Sequence, residues 1–101
     1  MERQALDNGN WFDLDKATSW TEGRYFDGNN HISLATGTQW DHEKLFRTAG
    51  GRWILYGWSQ WQGRRETWTE VSNADAARWL VKNEHDEHPA CRAEYAALEL
   101  Q

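Results

Sequence analysis

Two short runs hold most of the side chains that could do chemistry. In WDHEKLF, residues 40–46, Asp41, His42 and Glu43 stand in a row. Carboxylate and imidazole are the raw material of general acid–base catalysis, provided they converge on one point. In EHDEHPAC, residues 84–91, His85, His88 and Cys91 recur at every third position. Zinc accepts such a ligand set. Each run also has a plainer reading. On a strand Asp41 and Glu43 share one face and His42 points away, so catalysis there needs partners from elsewhere. The spacing of His85, His88 and Cys91 follows no standard zinc pattern, and Pro89 breaks helical registration. A solvated acidic link between two helices is the preferred reading, with these three as weak metal candidates and Cys91 as a small core residue. No nucleophile elbow, phosphate-binding glycine loop or paired CxxC is present. No cofactor is therefore expected.

A third stretch, GRWILYGWSQWQG at 51–63, carries Trp53, Tyr56, Trp58 and Trp61 and no acid. From Lys44 to Arg65 there are five basic residues and no acidic one. Residues 1–43 and 66–101 each hold three basic and eight acidic groups, and the net charge is −5. A basic, aromatic segment thus lies between acidic flanks. Ordinary cross-strand pairing and Arg-on-Trp packing account for this pattern. A binding face accounts for it too, because Arg and Trp are enriched at interface hot spots. On that reading the contact residues are Arg52, Trp53, Trp58, Trp61, Arg64 and Arg65. Basic groups with stacking rings also suit single-stranded nucleic acid. The acidic total opposes that at long range.

The elements that must position these residues follow from turn chemistry. DNGN at 7–10, DGNN at 27–30, TGT at 36–38, AGG at 49–51 and QGR at 62–64 supply Gly, Asn and Asp for tight turns. The stretches between them favour strands: 10–14, 18–26, 31–36, 39–48, 52–61 and 65–71. Segments 39–48 and 52–61 form a hairpin around AGG, and 18–26 and 31–36 a second around DGNN. LDKAT, 14–18, has the alternative of a helical turn. Ser72 then caps a helix over 73–84, with Asp75 in its first turn. Ala74, Ala77, Leu80 and Val81 share its apolar face, with Trp79 on the flank. Pro89 suits the first position of a second helix, 89–100, lining up Cys91, Tyr95 and Leu98. The fold class is therefore α+β: an antiparallel β-meander of about five strands, with one or two C-terminal helices packed on a face.

Strand 52–61 has no polar face. Trp53, Leu55 and Trp61 project to one side, Ile54, Tyr56 and Trp58 to the other, so the strand is expected to be central and covered on both sides. Helix 73–84 supplies one cover. The other is the N-terminal segment with Trp11 and Phe12, the C-terminal helix, a second subunit or an outside ligand. Size allows this. A chain of 101 residues with fourteen aromatics buries roughly 11,000 Å² on folding, against about 2,800 Å² for all the rings.

The length implies one domain, 1–101. With no long apolar run, no membrane span is expected. A polar N-terminus without a signal-peptide core and a single cysteine point to a reduced, cytoplasmic setting.

The run HISLATGTQWDHEKLFRTAGGRWILYGWSQWQG, followed by EVSNADAARWLVKNEH, resembles small uncharacterised Trp-rich bacterial proteins, some on phages and plasmids. The resemblance rests on Leu45, Phe46, Arg47, Thr48, Trp53, Ala76, Ala77, Trp79 and Leu80 and spans roughly residues 31–85. It implies a fold unit and an accessory role on a mobile element, and no chemistry. The expected function is a non-enzymatic interaction module that binds a protein partner or its own copy through the aromatic-basic hairpin. The alternatives are anionic-ligand or single-strand nucleic-acid binding on that hairpin, or inhibition of a nucleic-acid-binding protein by the acidic flanks.

Overall fold

The computed structural model describes residues 1–100. The chain opens with a hairpin of β1 (Arg3–Ala5) and β2 (Trp11–Asp13). Asp13 then caps a single 3-10 turn, Leu14–Lys16, by accepting from the Asp15 N–H. Strand β3 (Thr18–Thr21) follows, then a second hairpin of β4 (Arg24–Phe26) and β5 (His31–Ser33). Three longer strands come next: β6 (Asp41–Arg47), β7 (Trp53–Ser59) and β8 (Thr67–Val71). The chain closes with α1 (Asn73–Lys82), a 3-10 turn at Pro89–Cys91 and α2 (Arg92–Ala97). The architecture is α+β.

The main sheet is antiparallel, in the order β3-β6-β7-β8. Strands β6, β7 and β8 form a meander, and the β4–β5 hairpin is an excursion inserted between β3 and β6. Thr48, Gly50 and Gly51 make the β6–β7 turn. Gly51 has φ +87°, which an L side chain resists. The register sets Arg47 opposite Trp53, Phe46 opposite Ile54 and Leu45 opposite Leu55.

Strand β7 is paired on both edges and covered on both faces over its first half. Trp53 and Leu55 meet Trp20, Leu45 and Val71 beneath α1, whose Ala76, Ala77, Trp79 and Leu80 are buried. On the other face Ile54 meets Phe46 together with Leu6 and Phe12 of the N-terminal hairpin. Asp7 N–H donates to Trp68 O (2.9 Å), which ties that hairpin to the outer edge of β8. Of the four possible second covers, the N-terminal segment is the one that lies on this face. Of its two rings only Phe12 does the covering. Trp11 alternates outward, is 49% exposed and lies under the Arg3 guanidinium at 4.5 Å.

Other boundaries differ from expectation for local reasons. The segment 18–26 is two strands, because the chain leaves the sheet at Glu22 and Gly23. A Cβ on Gly23 would stand 2.7 Å from Leu34 Cδ1 and 3.0 Å from Asn83 O, and its N–H donates to Asn83 Oδ1 (3.0 Å). Strand β5 stops at Ser33, whose buried hydroxyl accepts from Ala35 and Thr36 N–H. Strand β7 stops at Ser59, so Trp61 belongs to a loop and not to the Trp53 face. Helix α1 begins at the expected cap, with Ser72 Oγ accepting from Asp75 N–H (3.1 Å). Its buried face is rotated toward Trp79, and Val81 is 44% exposed. The rotation lets Trp79 bury its ring while Nε1 donates to Glu43 Oε1 (3.1 Å). Strand β1 had no sequence signal of its own.

The accessible surface is 6808 Å², more than the roughly 5,900 Å² expected for this mass. The extents of 43 × 41 × 20 Å explain the excess: the molecule is flat. No helix among the described residues is long and apolar enough to cross a membrane.

Candidate functional site

The second half of β7 carries a row of stacked rings. Tyr56 stands opposite Trp68 in the register, and His42 opposite Trp58. Trp68 and Tyr56 stack at 4.0 Å, Tyr56 and Trp58 at 4.9 Å, and Trp58 and His42 at 5.4 Å, with interplanar angles of 17°, 22° and 28°. Trp68 also packs on Phe12 and Phe46. The neighbouring rings therefore spend their faces on one another. Burial, and then the nearby Glu66 carboxylate, pushes the Tyr56 hydroxyl above its ordinary range, so it stays protonated.

At the end of this row two loops present an indole pair. Trp40 immediately precedes β6 and Trp61 follows β7, with Gln60 N–H bonding Trp40 O (2.9 Å) as an extra rung. Thr38 Oγ1 accepts from Trp40 and Asp41 N–H, and Ser59 Oγ from Trp61 N–H, which locks both loops. The two rings are 5.1 Å apart, 41% and 53% exposed. Gly63, at φ +85°, turns the chain so that Arg64 and Arg65 follow, both exposed. Arg64 Nη1 lies 3.9 Å from Asp41 Oδ1, beyond hydrogen-bond range.

Beside this end lies a cleft of about 420 Å³ between the β4–β5 hairpin and the sheet. It exists because β3 pairs with β6 only from Lys44 to Arg47. The departing Glu22 replaces the missing strand with its side chain. Oε1 accepts from Glu43 N–H (2.6 Å) and Oε2 pairs with His42 Nδ1 (2.7 Å). Thr36 Oγ1 donates to Asp41 O (2.7 Å), completing a side-chain cap along this edge. Burial pushes the Glu43 carboxyl above its usual range, and the Glu22 charge adds to the push. The Trp79 N–H and the Lys82 charge oppose it. His42 thus has the partner that its own strand does not provide.

The expected contact residues are dispersed by this arrangement. Trp58 is in the stacked row, and Trp61, Arg64 and Arg65 surround the open end. Arg52 is at the other end of the hairpin, bonded through Nε and Nη2 to Glu70 on the adjacent β8. Trp53 is a core residue, 2% exposed, with Nε1 donating to Asn73 Oδ1 (2.8 Å); it reaches no surface. Alternation cannot tell a covered face from a bare one, and α1 covers this one. Trp40 and Glu22 were not singled out. Trp40 had a signal, since it sits directly before Asp41 at the strand start. Glu22 had none.

His85, His88 and Cys91 do not converge. His85 Nε2 bonds Thr21 O (2.6 Å) and the ring stacks on Trp79. His88 Nδ1 accepts from Ala90 N–H (3.0 Å), capping the turn that Pro89 begins. Burial, and then the Arg47 charge, holds His88 below the ordinary imidazole range. Cys91 is buried, and burial pushes its thiol up. Among the described residues no three His, Cys, Asp or Glu side chains are grouped to hold a metal ion.

No protein-family model, curated protein or solved structure matches the chain. A functional reading rests on the site itself.

Proposed function

We propose that the chain is a small non-enzymatic interaction module that binds a protein partner at the open end of its sheet. Trp40 and Trp61 supply the apolar centre, and Arg64 and Arg65 the polar rim. The observation that carries this reading is the indole pair. Two rings from different loops are held together and left about half exposed, while Trp53 and Trp79 are buried. Paired exposed aromatics rimmed by charge have the make-up of an interface hot spot. The partner that fits offers an apolar pocket ringed by carboxylates. A second copy docked about a two-fold axis would bring Arg64 and Arg65 against themselves, which favours a different protein. Nucleic-acid bases need free ring faces. The stacked row offers few, and the net charge of −5 adds repulsion.

The test begins with affinity capture by the immobilised chain. The captured protein is then identified, purified and titrated against wild type, Trp40→Ala/Trp61→Ala and Arg64→Glu/Arg65→Glu. Loss of each aromatic anchor is expected to weaken binding by about 2 kcal/mol, roughly thirtyfold. The charge reversal is expected to slow association in a salt-dependent way. A partner that binds all three proteins equally overturns the proposal, as does sedimentation showing the free chain to be a dimer through this face.

A further inference from the structure

The cleft beside the open end is lined by two carboxylates, Glu22 and Glu43, and two cations, Arg24 and Lys44. Its carboxylates are already engaged. Glu22 holds a backbone N–H with one oxygen and His42 with the other. Glu43 accepts from Trp79 and is biased toward its neutral form by burial. Its cations have no carboxylate partner. Among the described residues neither Arg24 nor Lys44 forms an ion pair with any carboxylate. Lys44 Nζ rests 5.4 Å from the Phe46 ring, and Arg24 is exposed on β4. A chain with 16 acidic and 11 basic side chains has carboxylates to spare for both. Two unmatched cations lining one concavity mark it for an outside anion.

Gln39 and Gln60 line the same space, and a primary amide bonds hydroxyls through both its C=O and its NH2.

We infer that this cleft binds a small polyhydroxylated organic anion. The carboxylate or phosphate group lies between Arg24 and Lys44, and the anion's hydroxyls bond the amides of Gln39 and Gln60. The volume of about 420 Å³ is at the lower end for small-molecule sites, which suits a sugar acid or sugar phosphate. The site is separate from the Trp40/Trp61 face.

Trp58 is a built-in reporter, because it lines the cleft and stacks on His42. Tryptophan fluorescence is titrated with gluconate, glucose 6-phosphate, glucose and inorganic phosphate. Saturable binding is expected with at least one of the two hydroxylated anions, and gluconate against glucose 6-phosphate tells whether carboxylate or phosphate is preferred. Glucose and inorganic phosphate are each expected to bind at least tenfold more weakly. Arg24→Gln and Lys44→Gln, checked for fold by circular dichroism, are each expected to weaken the favoured anion at least tenfold. Gln39→Ala/Gln60→Ala is expected to narrow the gap between that anion and inorganic phosphate. Arg64→Gln/Arg65→Gln is expected to leave the titration unchanged. The inference is overturned if neither hydroxylated anion binds, if glucose or inorganic phosphate binds as tightly, or if Arg24→Gln binds like wild type. It is also overturned if only the Arg64→Gln/Arg65→Gln variant loses binding, and that result leaves the protein-partner proposal intact.

Discussion

Strand β7 begins at Trp53 and Ile54, each 2% exposed, and past its end the chain reaches Trp61, 53% exposed. The sequence is equally aromatic along this whole stretch. At the first end two separate segments arrive to cover the two faces: α1 on Trp53 and Leu55, the N-terminal hairpin on Ile54. At the second end neither covers Trp58 or Trp61. The rings there either stack on one another, as Tyr56 and Trp58 do, or stand in pairs at the surface, as Trp40 and Trp61 do. Aromatic content therefore says where a strand is, and coverage by distant chain says which rings are left to meet something else.

The largest effect that probes this contrast is Trp53→Ala. It removes a ring packed on Trp20 and edge-on to His88, together with its bond to Asn73. Loss of about 3–5 kcal/mol of stability is expected in a denaturant titration. A loss below about 1 kcal/mol would break the distinction between the two ends.

A smaller effect at the same end depends on pH. His88 is held below the ordinary imidazole range by burial and by Arg47. Between that lowered folded value and the ordinary imidazole value of 6.5, the unfolded chain binds more protons than the folded one. Stability from this group is thus present at neutral pH and lost as the pH falls through that window. Protonation at Nδ1 also removes the acceptor for Ala90 N–H. His88→Asn keeps an acceptor and cannot titrate. Its denaturation midpoint is expected to fall less than that of wild type between about pH 7 and about pH 5. Parallel curves would show that His88 does not sense the buried end.

The smallest effect on stability is expected at the open end. Trp61→Ala should shift stability by no more than about 0.5 kcal/mol, because the ring is not packed into either core. Measured beside Trp53→Ala, it separates a ring that holds the fold from one that the fold displays. A loss as large as that of Trp53→Ala would place Trp61 in the core and remove the basis of the proposed partner face.

Much of the architecture was legible because it depends on neighbours in sequence. The AGG turn, the Ser72 cap and the two-sided apolar character of β7 each follow from a few adjacent residues obeying turn, capping and alternation rules. The break at Gly23 was not legible, since its cause is Asn83, 60 residues away. The rotation of α1 was missed for a similar reason: Trp79 bonds Glu43 on a strand. The candidate site was half legible. Trp61, Arg64 and Arg65 stood out by composition, whereas Trp53 was placed with them because its type is the same and only its cover differs.

The amino-acid order by itself determined an α+β chain with a central aromatic strand, a basic middle between acidic flanks and a capped helix, since each is a local or compositional property. Tertiary structure alone decided that Glu22 would find His42, that Trp40 would meet Trp61, and that Arg24 and Lys44 would line a cleft without carboxylate partners. Those outcomes depend on where the chain leaves the sheet and returns. That path is set by long-range packing, which no short window of residues encodes.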